Sequence, residues 1–250
     1  MNTYYTIDGR NDGFGAQYQS IMSGIAFCEA HNYFYIHTPF QVMEHGVDID
    51  ELNYFIGIPY LPGTSYLPGT SYLAKQPAIH MIHEPFSRHV HYSNEPSIYY
   101  TQSVLTKLRA YYYSTEKPAC EPCDIAIHIR RGDVTKIENS NRYTSNDTYC
   151  RLIDGLKQQY PNYKITIFSE GDISEFRELE SEGVELRLNE HITNTFHSLV
   201  SAKILVTSMS SFSYCAAILN ANTVYYMDFW HKPLNHWKNT TGLNTTGLLN

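Results

Sequence analysis

The chain has 250 residues, 42% hydrophobic and 17% charged, with a formal net charge of −7. That composition fits a soluble globular protein large enough for one larger or two smaller cores, and it excludes a disordered tail protein. An acidic balance also opposes broad nucleic-acid binding, which needs a basic surface, so any anion site has to be local.

The opening "MNTYYTIDGR" has neither the basic start nor the apolar core of a leader, and no window nears the roughly 18 residues of a membrane span. The expectation is therefore a cytoplasmic protein with no integral membrane segment. Along the first 118 residues, "YYTIDGR" reads as a strand and "FGAQYQSIMSGIAFCEAHN" as a helix. Then "YFYIHTP" and "AIHMIHE" read as strands, and "SIYYTQSVLTKLRAYYYS" as a helix. Between them "YLPGTSYLPGTSYL" (60–73) is a tandem repeat of six residues, read as a turn-rich loop because two copies are too few for a solenoid. Asp48 and Asp50 in "DID" have the spacing of a D-x-D metal motif, but "ELNYFIG" after them favours a helix N-terminus.

"EKPACEPC" (116–123), with two prolines and little periodicity, reads as the linker between an N-terminal lobe (1–118) and a C-terminal lobe (119–250). Its lone C-x-x-C has no second pair, and the five cysteines read as reduced thiols. From residue 124 the rhythm is regular: strands at "DIAIHIR", "KITIFSE", "VELRLN", "ILVTS" and "TVYYMDF" alternate with helical segments. The fold class is therefore α/β: parallel sheets, with ligands collecting at the carboxyl ends of strands.

Two stretches in that half carry chemistry. In "CDIAIHIRRGDV" (123–134), alternation puts His128 and Arg130 on one side and Ile127, Ile129 and Arg131 on the other. One guanidinium can then meet a ligand while its neighbour braces a loop, and Asp133 can pair with either. A guanidinium fork fits a diphosphate and keeps its charge; the plainer reading is a surface arginine pair. In "TSMSSFSYCAAIL" (207–219), hydroxyls precede a helix of small residues, which reads as an anion site or as simple capping by Ser210 or Ser211. Gly13 and Gly15 in "GRNDGFGAQYQ" allow close backbone approach, but neither a dinucleotide fingerprint nor a P-loop is present. Glu138 could reach a ligand as a base or lie on an exposed loop, and Glu170 and Asp172 follow a third strand. Twenty-two tyrosines suit sugar contacts and cores equally.

Together these segments resemble the fucosyltransferase superfamily of bacterial alpha-1,2-, core alpha-1,6- and protein O-fucosyltransferases. "HIRRGD" is similar to its H-x-R-R-x-D motif, and "SSFSYCAAIL" to the S-S-F-S-W-W-A-A segment of the alpha-1,2 group, with Tyr214 and Cys215 in place of tryptophans. "DGFGAQYQSI" resembles G-x-G-N-Q-x-x-Q with Ala16 for asparagine, and "IFSE" with Asp172 resembles F-S-D-D. The resemblance implies a GT-B fold of two Rossmann-like lobes and an inverting, metal-independent transfer from GDP-fucose to a glycan hydroxyl, alpha-1,2 in type, with no cofactor.

By the same resemblance Arg130 holds the β-phosphate and His128 lies near the nucleotide, while Arg131 and Asp133 brace the loop. Gly13 and Gly15 approach the diphosphate, Ser210, Ser211 and Phe212 line the nucleotide pocket, and Glu138 has the spacing of a proposed base; Glu170 and Asp172, at the end of a third strand, could face nucleotide or solvent. Where relatives often carry an acid before "ILVTS", this chain has Lys203. A non-catalytic glycan-binding module on the same fold, or a transferase using another nucleotide sugar, are the alternatives.

Overall fold

The computed structural model describes residues 4–7, 9, 11–59, 79–82 and 95–243; the repeat at 60–73 lies outside them. The chain forms two compact units: Met1–Lys117 with Trp230–Asn235, and Pro118–Phe229 with His236–Asn250. The sequence places one boundary near 118; it does not foresee that residues 230–235 join the first unit. There the Asn235 amide donates to Ser97 Oγ at 2.8 Å.

In the first unit β1 (Tyr4–Ile7) lies between β2 (Phe34–Tyr35) and β3 (Ile79–Ile82), and both pairings are parallel. The expected strand over 33–39 shrinks to two residues. Helix α1 (Phe14–His31) is buried along almost its whole length, with Tyr18, Met22 and Ile25 in the core. It ends at Asn32 in the left-handed conformation, φ 58°, a helix-stop geometry asparagine tolerates. Close packing of α1 on the sheet uses Gly24, where a Cβ would stand 2.8 Å from Ile7 Cγ2. Helix α2 (Ile49–Ile56) settles the "DID" question in favour of a cap: Asp48 Oδ1 accepts from the amides of Asp50 and Glu51. The helix read over 97–114 divides into a 3-10 turn at Pro96–Ile98 and α3 (Gln102–Tyr112), capped by Thr101.

The second unit contains β4 (Ile125–His128), α4 (Asn146–Gln159), β5 (Ile165–Ser169), β6 (Val184–Leu188) and α5 (Ile192–Ser201). It continues with β7 (Ile204–Val206), α6 (Ser211–Leu219), β8 (Thr223–Tyr226) and the short β9 (Lys238–Asn239). All the pairings are parallel, in the order β6-β5-β4-β7-β8-β9. In this unit's own strand count that is 3-2-1-4-5-6, the doubly wound Rossmann order, so the expected α/β class with parallel sheets is the observed one. The segment 173–179 is a 3-10 helix where the sequence suggests an α-helix, and it buries Phe176 and Leu179.

Ile125, Ile127, Ile165, Ile167 and Val206 are nearly inaccessible, as expected of strands covered on both faces. Five tyrosines (Tyr18, Tyr112, Tyr149, Tyr214 and Tyr226) are among the largest fully buried side chains, so much of the tyrosine enrichment serves the cores. Tyr214 and Tyr226 pack with Phe229 and Trp237, the Tyr214 and Trp237 rings 5.3 Å apart. An indole thus lies beside Tyr214, one of the two positions where the resembled motif has tryptophan. Among the described residues no helix is long and apolar enough to cross a membrane.

Candidate anion site at the carboxyl edge of the second sheet

In a doubly wound sheet the strand order reverses between the first and fourth strands, and helices depart to opposite faces there, leaving a crevice at the carboxyl ends. Here those strands are β4 and β7. The residues that follow them are Ile129–Asp133 and Thr207–Ser210, the two stretches that carry the charge and the hydroxyls.

The two arginines separate as alternation requires. Arg131 is 3% exposed and anchored inward: Nη1 donates to the Arg130 carbonyl at 2.9 Å, and Nη2 donates to the Thr144 carbonyl and Asn146 Oδ1, each at 2.9 Å. Its guanidinium lies 4.3 Å from the Tyr143 ring centre. Arg130 is the accessible partner, its side chain 25% exposed, with Nη2 2.5 Å from Asp133 Oδ1. Among the described residues Asp133 is its one ion-pair partner. A guanidinium has five N–H donors, so this contact orients Arg130 without exhausting it. The turn between them needs Gly132, which has φ +75°, and its missing Cβ makes room for Glu170 Oε2, 2.5 Å from where that atom would stand.

Asn146 is a residue the sequence reading missed. It begins as an N-x-T sequon, yet its amide is engaged on both sides: Oδ1 accepts from Arg131, and Nδ2 donates to the Glu175 carbonyl at 2.7 Å. It therefore ties the arginine turn to the start of α4 and the 3-10 segment. The only signal for it in the sequence is its position just after the Ser145 cap.

At the end of β4, His128 is 6% exposed, with Nδ1 2.7 Å from Ser208 Oγ and its ring 5.3 Å from Phe212. Burial, reinforced by the charge of Arg130, holds its pKa down at about 3, so the imidazole is neutral at physiological pH. Phe212 packs in turn on Phe196 at 5.2 Å. Ser210 caps α6, its Oγ accepting from the Phe212 amide at 3.3 Å, and Ser211 opens the helix beside it. Ser208 and Ser213, also missed, are nearly inaccessible and form the hydroxyl network beneath that turn.

The remaining candidates take different places. Asp172 caps the 3-10 segment, Oδ1 accepting from Ser174, in a reciprocal box with Glu175, and those bonds hold its carboxyl below the usual range. Glu138 lies on an exposed turn closed by its own backbone: its amide donates to Thr135 Oγ1 at 2.8 Å, and its carbonyl accepts from the Thr135 amide. Gly13 and Gly15 belong to the first unit. Gly13 precedes α1 with φ −66°, a value open to any residue, and Gly15 is buried in the first turn.

Lys203 stands at the amino end of β7, at the other end of the strand from Ser208. Its Nζ meets Asp124 Oδ1 at 2.7 Å and lies 5.5 Å from the Tyr163 ring. The departure seen there in the sequence is thus a change at the opposite edge of the sheet from the site. All five cysteines are free; Cys123 and Cys120 contact the Glu121 carbonyl and Ser201 Oγ.

No family model and no curated protein matches the chain. Among solved structures it is similar to POFUT1 in complex with GDP-fucose, with a TM-score of 0.49 and 11% identity over 91% of this chain and 98% of that one. A variant of Arabidopsis thaliana FUT1 in complex with GDP gives 0.47 and 12% over 95% and 72% of the two chains. The dodecameric iron-containing heptosyltransferase TibC, in complex with ADP-D-beta-D-heptose, gives 0.45 and 10% over 95% and 62%. At these identities the likeness concerns the path of the chain alone.

Proposed function

We propose that the chain is a GT-B glycosyltransferase whose second unit binds a nucleotide-diphosphate sugar, with GDP-fucose as donor and a glycan hydroxyl as acceptor. The observation that carries this reading is the convergence, at the switch point between β4 and β7, of an oriented but accessible guanidinium and a capped helix N-terminus. Both favour a multiply charged anion, and neither depends on pH in the physiological range. The choice of GDP-fucose rests on the motif order running from Gly13 through Arg130 and Asp172 to Phe212.

In the proposed reaction an acceptor hydroxyl attacks the anomeric carbon while the bond to the β-phosphate oxygen breaks. A single displacement inverts that centre. Negative charge grows on the departing diphosphate, and Arg130 with the positive end of α6 stabilises it without a metal. Asp133 and the anchored Arg131 hold Arg130 in place beforehand, which keeps reorganisation small. Glu138 is the proposed base; its carboxylate is on an exposed turn, so substrate has to bring the hydroxyl to it.

Calorimetry with GDP, UDP and ADP tests the donor: GDP tightest by at least tenfold is expected, and equal or absent binding of all three would remove the proposal. Incubation with GDP-fucose then separates the enzyme from a glycan-binding module, because an enzyme releases GDP and a binding module leaves the donor intact. Glu138→Gln is expected to lower kcat with little change in GDP affinity.

A further inference from the structure

An arginine suffices to attract an anion, so a buried histidine two residues before it needs its own explanation. His128 ends β4 and is closed in by Phe212, which Phe196 backs. Its Nδ1 faces Ser208 Oγ at 2.7 Å. Nε2, on the other side of the ring, makes no hydrogen bond among the described residues, yet it is not one of the sealed, unsatisfied polar atoms.

The proton's position follows from the neighbouring hydroxyls. Ser213 Oγ accepts from the Ser208 amide at 3.1 Å and lies 3.3 Å from the Ser210 carbonyl, which can only accept, so Ser213 directs its own proton there. Ser208 has one hydroxyl proton and two candidate acceptors: His128 Nδ1 at 2.7 Å and Ser213 Oγ at 3.4 Å. The shorter contact takes it. With Nδ1 accepting, a neutral imidazole must carry its proton on Nε2.

We infer that Ser208 is a positioning residue: its buried hydroxyl fixes His128 as the Nε2–H tautomer and presents that N–H as an uncharged donor to an oxygen of the anionic ligand. The identity of the ligand rests on the functional reading above; the tautomer does not. The depressed pKa of His128 agrees with a ring that stays neutral beside Arg130. An uncharged donor complements the arginine, because it adds a directed bond without a second cation to repel the first.

The test is long-range nitrogen–proton NMR on protein labelled with ¹⁵N-histidine, with GDP titration alongside. The unsubstituted protein should show His128 protonated at Nε2 alone across pH 6–8; a ring protonated at Nδ1 overturns the inference with no variant needed. Ser208→Ala should release the tautomer to a mixture and weaken GDP about tenfold, as expected for one lost neutral hydrogen bond. Ser213→Ala, which leaves the Ser208–His128 contact in place, should keep the tautomer fixed. Unchanged GDP affinity in a folded Ser208→Ala protein would overturn the ligand-directed half. If the unsubstituted protein ignores GDP, the donor assignment fails while the spectrum still decides the role of Ser208.

Discussion

The carboxyl edges of the two sheets use the same α/β geometry with different polar groups. In the first unit the side chains that meet around the ends of β1 and β2 include Thr38 and Gln17, which are polar and uncharged, while the sequence after β1 also carries Asp8, Arg10 and Asp12. Thr6 Oγ1 meets Thr38 Oγ1 at 2.5 Å, and Gln17 Nε2 donates to the carbonyls of Asp12 and Val42. A small cavity there is lined by Ile7, Gly9, Gln17, Thr38, Phe40 and Gln41, among others, and none of its lining side chains is charged. In the second unit a guanidinium and a helix dipole converge on the edge. The architecture is shared and the side chains at the edges differ: hydroxyl and amide groups line the cavity in the first unit, and an oriented guanidinium and a capped helix meet in the second.

The sharpest way to break that contrast is Arg130→Ala. Transfer from GDP-fucose is expected to fall about a hundred- to a thousandfold, roughly 3 to 4 kcal/mol, with the melting temperature little changed, because this side chain is partly exposed. Thr38→Ala, at the edge of the first sheet, should leave GDP affinity as it was. Near-normal turnover in the arginine variant would erase the distinction between the edges.

Arg131→Ala should do the reverse of Arg130→Ala in a denaturant titration. Its three inward hydrogen bonds leave carbonyls and an amide oxygen unpaired when removed, so a loss of about 2 to 3 kcal/mol in stability is expected. A variant as stable as the parent would show that the arginine is not anchored as described.

A third comparison uses pH, because each unit buries a neutral histidine. His37 in the first unit is held at about 4 by burial, and His128 in the second at about 3. The unfolded chain takes up a proton below about 6.5 and the folded chain does not, so folding loses stability as pH falls from 6.5 toward 4. The slope is up to about 1.4 kcal/mol per pH unit for each histidine. Urea titrations between pH 7 and 4.5 should show this, and His37→Gln should flatten one share of it; an unchanged slope would mean that His37 titrates normally.

Smaller effects sharpen the local picture. Gly132→Ala meets both an unfavourable φ and Glu170, and about 1 to 2 kcal/mol of stability should be lost, part of it recovered when Glu170→Ser is added. Asp48→Ala should cost about 1 kcal/mol as a lost helix cap and leave transfer unchanged, whereas an effect on transfer would reopen the metal reading of that acid.

What was legible in the sequence follows from what local physics controls. Alternation along "DIAIHIRRGD" put Arg130 and Arg131 on opposite sides, the resemblance assigned Arg130 to the ligand and Arg131 to the loop, and the hydroxyls before a run of small residues marked the start of α6. For Asp172 the sequence could not say that its carboxylate would cap a 3-10 segment, and for Glu138 it offered both a base and an exposed loop, of which the structure shows the exposed turn. Residue type does not say which lone pair a backbone amide will claim.

The sequence by itself determined the alternation of strands and helices, the acidic surface that confines an anion site, and the chemistry offered after β4 and β7. Only the tertiary structure decided that those two strands are neighbours at the point where the winding reverses, that Asn146 clamps Arg131, and that Ser208 lies under His128. Each of these joins residues between 15 and 80 positions apart. Such contacts arise from packing helices on a sheet, which no periodicity within a single segment records.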